Sequence, residues 1–136
     1  MGVRQRLESS YDYEIVDEFL DHFDIMTEVM EPTIIAIESA SDLQKRREKI
    51  DELFRLFHNI KSASAFLKIE RLNLLAELAE EMVSRLRDDP ESVDSRVIDW
   101  LLAVHDQMRR WYDQIAADEE LEETDPNLLK LPEFYL

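Results

Sequence analysis

Residues 42–67 read DLQKRREKIDELFRLFHNIKSASAFL, and this stretch decides the fold. Its apolar residues Leu43, Ile50, Leu53, Phe54, Phe57, Ile60 and Leu67 recur at helical spacing, with Ser64 the one polar interruption. Ser41 and Gln44 stand at the spacing of a capping box, so a helix is expected from about Asp42 to Leu67.

The same period continues on both sides. Upstream, Ile15, Phe19, Phe23, Met26, Met30, Ile34 and Ile37 line one face of a helix expected over 12–38, capped by Ser10 or Asp12. Pro32 lies inside it and is expected to kink the helix or split it near Glu31, because proline lacks the backbone donor. Downstream, Leu72, Leu75, Leu78, Ala79, Met82 and Leu86 mark a helix over 71–87, although no Gly or Pro punctuates the break at Lys68-Ile69. A fourth helix is expected from Asp89 as N-cap, with Pro90 at the first helical position and Glu91 in the first turn. Its stripe runs through Val93, Val97, Trp100, Leu101, Val104, Met108, Trp111 and Ile115. No segment alternates as a strand does. Four amphipathic helices with short links give an all-α, antiparallel up-down four-helix bundle with a C-terminal tail. The expected organisation is a lead over 1–11, the bundle over 12–117 and a tail over 118–136.

Composition narrows the function. A chain of 136 residues is one ordinary domain, large enough to bury its own core. It has no cysteine, which removes disulfides, a thiolate nucleophile and zinc knuckles. Its single glycine excludes a Rossmann fingerprint and a P-loop, which need several at fixed spacing. The net charge of −16 argues against nucleic acid and against an anionic membrane surface as partners. No apolar run reaches the roughly 20 residues needed to span a bilayer. The N-terminus has no apolar signal core, and Gly2 is not read as a myristoylation site because Arg6 stands where Ser or Thr is wanted. The default expectation is a soluble cytoplasmic domain. The tail opens on the acidic run Asp118-Glu119-Glu120-Leu121-Glu122-Glu123, read as solvated. The apolar end, Leu128 to Leu136, either docks back on the bundle, which is favoured, or serves as a partner motif.

Many carboxylates on a helical bundle invite a di-iron reading, which needs Glu-x-x-His on two helices. The residues three before His22, His58 and His105 are Phe19, Arg55 and Leu102, so that reading fails. No Ser-His-Asp order or His-Glu-x-x-His is present, and no metal or cofactor site is assigned. His22 and His105 read as ordinary structural or exposed histidines. His58 differs. It lies about 100° round from Phe57 and is followed at helical-neighbour positions by Lys61, Ser62 and Ala65. The nearby cation disfavours the imidazolium and favours an anion on the ring, while the small residues leave room for a protein to approach. A neutral imidazole is a competent nucleophile near pH 7. From Lys45 to Arg71 there are eight basic and four acidic residues, a local basic surface that suits an acidic partner.

His58-Asn59-Ile60-Lys61-Ser62-Ala63-Ser64-Ala65-Phe66-Leu67, after the apolar lead-in Leu53-Phe54-Arg55-Leu56-Phe57, resembles the motif of histidine phosphotransfer (HPt) domains. With Glu77-Leu78-Ala79-Glu80-Glu81-Met82 on the following helix, it is most similar to the phosphotransfer domain of chemotaxis histidine kinases. The resemblance covers about Asp12 to Ala117. It implies a phosphorelay carrier in two-component signal transduction, with the phosphoryl group on the outer ring nitrogen of His58 as a phosphohistidine. Lys61 would steady the phosphoryl oxygens. Glu80, or Glu77 one turn earlier, would bond the inner nitrogen. Arg55, Ser62 and Ala65 would form the docking surface. The partners implied are a histidine kinase and a receiver domain of a response regulator, which supply the catalysis; the domain itself would be no enzyme and need no cofactor.

Ser62 and Lys68 depart from the family pattern, each standing where glycine is common. The chain is read as a free-standing carrier or an excised domain, with the tail favouring the first, and as a monomer. The alternative reading is a helical adaptor, or a degenerate HPt fold, that docks a signalling partner without phosphoryl transfer.

Overall fold

The computed structural model describes residues 2–132. Among the described residues every regular element is helical: α1 (Val3–Ser10), α2 (Tyr13–Ser39), α3 (Leu43–Phe66), α4 (Glu70–Asp88) and α5 (Ser95–Ala116). Short 3-10 turns occupy Pro90–Ser92 and Pro126–Leu129. No helix among these residues is long and apolar enough to cross a membrane.

The apolar stripes become one core. α3 packs against α2 on one side and α4 on the other, and α2 also packs against α5. Phe23 and Met30 of α2, Phe57 of α3, Leu75 of α4 and Trp111 of α5 are fully buried. Ile15, expected in the stripe of α2, is 39% exposed, and its neighbour Val16 is buried instead.

Local chemistry moves several boundaries. α2 is not split at Pro32: it runs unbroken from Tyr13 to Ser39. One missing donor is outweighed there by the burial of Met30, Ile34 and Ile37 on both sides of the proline. The N-cap of α3 is Asp42 rather than Ser41; its extended backbone lets the carboxylate accept from Lys45 N at 2.8 Å. Asp89 and Pro90 do not open the last long helix. They open a 3-10 turn, and α5 starts afresh at Ser95, where the Asp94 carboxylate accepts from Arg96 N and Val97 N, each at 3.0 Å. The unpunctuated break after α3 is closed by Lys68 in the left-handed region, φ 58°. Ile69 N then donates to Ser64 O at 2.9 Å, a glycine-type C-cap made without glycine.

The lead contains a helix the periodicity did not announce. α1 buries Val3 and Leu7 and packs on α2 and α5. Its entry rests on the one glycine, because a Cβ at Gly2 would lie 1.8 Å from the carbonyl oxygen of Asp118. Gln5 N donates to Asp118 Oδ1 at 3.0 Å, and Arg6 pairs with Glu120.

The acidic run is not a free solvated chain. The Glu122 carboxylate accepts from Gln107 Nε2 at 2.9 Å, Arg110 Nε at 3.0 Å and Gln114 Nε2 at 3.0 Å. Its backbone carbonyl accepts from the buried Trp111 indole at 3.0 Å. Leu128 beyond it is buried. Glu133, Phe134, Tyr135 and Leu136, the end of the stretch expected to dock or bind a partner, lie outside the described residues. Gln107 is fully buried. Glu122→Ala therefore deprives a buried amide of its acceptor and is expected to cost about 1–3 kcal/mol. A lowered urea midpoint with unchanged slope checks this; an unchanged midpoint contradicts the latch.

Candidate functional site

The site is built on the faces of α3 and α4 that look away from the core. Phe57 points inward and is fully buried, so His58, one residue on, is carried to the surface. Its imidazole is 56% exposed. Four residues earlier on the same face, Phe54 stacks beside it, ring centroids 6.3 Å apart and planes 11° apart. The Arg87 guanidinium of α4 covers Phe54, 4.4 Å from the ring centroid, and its Nε pairs with Asp51 at 3.1 Å.

Glu80 of α4 ties the site together. His58 Nδ1 lies 2.9 Å from Glu80 Oε2, and Lys61 Nζ donates to Glu80 Oε1 at 3.1 Å. Only 17% of the Glu80 side chain is exposed. Burial works against its charge, but hydrogen bonds from His58 and Lys61 outweigh it and hold the carboxyl below the ordinary glutamate value. An ionised carboxylate can only accept. The neutral ring therefore keeps its proton on Nδ1 and leaves the Nε2 lone pair free. The register of α4 on α3 is fixed next to the site by Asn73 Nδ2, which donates to Lys61 O at 2.9 Å.

Of the residues singled out from sequence, His58, Lys61 and Glu80 meet in one cluster. Lys61 stands at Glu80, on the Nδ1 side of the ring. Glu77 is exposed one turn away, and the ring contact falls to Glu80. Arg55, Ser62 and Ala65 are exposed on the helix that carries His58. His22 is exposed on α2, and His105 is largely buried on α5, so neither belongs to this cluster. Sequence reasoning missed the roles of Phe54, Asn73 and Arg87. Phe54 had a visible signal, its position four residues before His58. The other two meet the site only once α4 lies on α3.

Glu122 is also held below the ordinary glutamate value, first by the Gln107 hydrogen bond, against burial, and then by Arg110 and Gln114. For both glutamates the native form binds its proton less tightly than the unfolded chain does. The stability they contribute is therefore full above about pH 4.5 and is lost as pH falls through their depressed native values. Tm measured against pH is expected to drop in that acid range, and Glu80→Gln with Glu122→Gln is expected to flatten the drop. An equally steep profile in the double variant contradicts the assignment.

A family model described as the Hpt domain matches residues 14–118. Chemotaxis protein CheA of Treponema pallidum is 25% identical over 104 residues, covering 76% of this chain and 12% of that protein. Chemotaxis protein CheA of Borreliella burgdorferi is 25% identical over 96 residues, covering 71% of this chain and 11% of that protein. The chain spans 12% or less of the length of these two curated relatives. No solved structure matches it.

Proposed function

The chain belongs to the Hpt domain family, and from that premise we propose that it is a phosphoryl carrier that receives and donates the group on His58 Nε2. The observation that carries this reading is the 56% exposed imidazole whose Nδ1 lies 2.9 Å from the Glu80 carboxylate; the neutral tautomer that this bond favours carries its lone pair on Nε2. In the forward step the Nε2 lone pair forms a bond to phosphorus as the bond to the leaving oxygen breaks. That oxygen belongs to ADP when the donor is a histidine kinase, or to an aspartate carboxylate when it is a phosphorylated receiver. The reverse step returns the group to a receiver aspartate and frees the neutral ring. Glu80 compensates the positive charge that develops on the ring as the bond forms. Lys61, one turn along α3, rests on Glu80 and must turn from it toward Nε2 to offset the charge of the phosphoryl oxygens.

The partner provides the Mg²⁺ and the catalytic groups, and this chain catalyses nothing alone. Arg55, Ser62 and Ala65, all exposed, form the surface on which the receiver docks. The bundle is read as antiparallel and up-down over 12–117, supported by the short links at 40–42 and 67–69 and by α3 packed between α2 and α4. It acts in the cytoplasm and as a monomer, a reading supported by the single apolar core that its own helices enclose.

The test is phosphoryl transfer followed by intact mass. Wild-type protein mixed with phosphorylated receivers, or with kinases and ATP, is expected to gain one acid-labile, alkali-stable phosphoryl group. A folded protein that binds a receiver and gains nothing from any donor would be an adaptor instead. Glu80→Ala removes a charge-assisted hydrogen bond of about 1.5–3 kcal/mol and is expected to slow acceptance about 10- to 100-fold. In the same variant the ring ¹⁵N signals should lose their Nδ1-protonated preference; an unchanged rate and tautomer would remove Glu80 from the mechanism.

A further inference from the structure

A second cluster of polar side chains lies between α2 and α5, helices that carry none of the residues of the His58 site. His105 Nδ1 is 3.1 Å from Asp106 Oδ1 and 3.6 Å from Glu31 Oε2. All three ligand atoms lie within 4.8 Å of one another. Only 11% of the imidazole is exposed, while Glu31 is 51% and Asp106 63% exposed, so the nitrogen is held and the carboxylates face water. A cavity of about 310 Å³ opens beside Glu31 and His105, lined also by Thr27, Glu28, Pro32 and Arg109.

The 3.1 Å pair is itself a hydrogen bond, and both distances also suit ligands that share a metal ion. A tetrahedral zinc-type ion with bonds of about 2.0–2.1 Å holds neighbouring ligand atoms roughly 3.3–3.4 Å apart. The two separations, 3.1 and 3.6 Å, stand on either side of that edge, and the longer is beyond hydrogen-bond reach. Glu28, one turn before Glu31, adds a carboxylate to the cavity wall. Pro32 withdraws the helical donor from the Glu28 carbonyl. The cation in the groove, Arg109, is turned to other partners. It pairs with Asp24, lies 3.2 Å from Thr27 Oγ1 and 3.6 Å from Asp113, and covers the Tyr112 ring at 4.6 Å.

We propose that Glu31, His105 and Asp106 form a binding site for a divalent transition-metal ion of the zinc type, which clamps α2 to α5. One imidazole nitrogen with carboxylate oxygens suits Zn²⁺ and its neighbours rather than Mg²⁺ or Ca²⁺, which take all-oxygen sets. The bound ion takes the place of the Nδ1 proton of His105, and water completes the coordination.

The test titrates the full chain with Zn²⁺ in competition with a chromophoric chelator, in wild type, His58→Gln, Glu31→Gln and His105→Gln. Wild type and His58→Gln are expected to take up one ion per chain, with ring signals of His105 shifting and those of His22 unmoved. Saturating Zn²⁺ should raise Tm by roughly 5 °C, through binding to the native state alone. Glu31→Gln should weaken uptake about tenfold or more. That variant decides the matter if His105→Gln misfolds, because the Glu31 carboxylate is half exposed. No uptake by wild type, uptake undiminished in Glu31→Gln, or uptake abolished in His58→Gln would each overturn the proposal.

Discussion

His58→Gln is expected to abolish phosphoryl acceptance from every donor while leaving the fold intact. Glutamine has no ring nitrogen with a free lone pair, and neither neighbour replaces it. Lys61 is a cation held at a carboxylate, and Glu80 is occupied by hydrogen bonds. The fold should not suffer, because the replaced ring is 56% exposed and the glutamine amide can still donate to Glu80. Mass spectrometry after incubation with phosphorylated receivers checks the first half, and a urea transition matching wild type checks the second. His22→Gln is the paired control: that ring is exposed on α2, outside the cluster, and the variant should accept phosphoryl groups as wild type does. Residual phosphorylation of His58→Gln would move the acceptor elsewhere.

The largest expected effect on stability lies one residue away. Phe57→Ala is expected to destabilise the protein by about 3–5 kcal/mol, as large aromatic-to-alanine core changes do. Phe57 is fully buried on α3, the helix that packs against both α2 and α4. Removing its ring leaves a void that three packed helices cannot collapse around without moving the α3–α4 register. A domain of ordinary stability has only about 5–15 kcal/mol to lose. The check is urea unfolding, where the midpoint should fall and the slope should stay. A loss below about 1 kcal/mol would mean that the site relaxes and that Phe57 does not anchor the helix. The contrast between neighbours is the point: residue 57 carries stability and residue 58 chemistry, because successive helical positions face different ways.

The long helices were legible because each carries an apolar stripe that continues through many residues. Even Pro32 could not interrupt α2, since the buried residues on both sides outweigh one lost donor. The cap of α3 and the start of α5 differ from expectation because several acids and hydroxyls stand near each end. Which of them caps depends on backbone angles that composition does not reveal: Asp42 and Asp94 are extended there and bond the first-turn amides. α1 was invisible for a different reason. It buries only Val3 and Leu7, and its partners Asp118 to Glu120 lie more than a hundred residues on. The tail misled in the same way. Glu122 reads as one more solvated acid, yet Gln107, Arg110 and Gln114 on α5 donate to its carboxylate, and Gln114 Oε1 accepts from its amide. At the His58 cluster, helical spacing placed Lys61 and left Glu77 and Glu80 open. The packing of α4 brought Glu80 to the ring, and it also brought Arg87 to Phe54.

The central claim is that the phosphoryl group rides on one atom, His58 Nε2. It is tested most directly by NMR on ¹⁵N-histidine-labelled protein after transfer from a phosphorylated receiver, with phosphorus–nitrogen coupling assigned to a ring atom. The account predicts coupling at Nε2 of residue 58 alone, with Nδ1 still protonated and bonded to Glu80. Coupling at Nδ1, coupling at His22 or His105, or no phosphorylation from any receiver or kinase donor would contradict it.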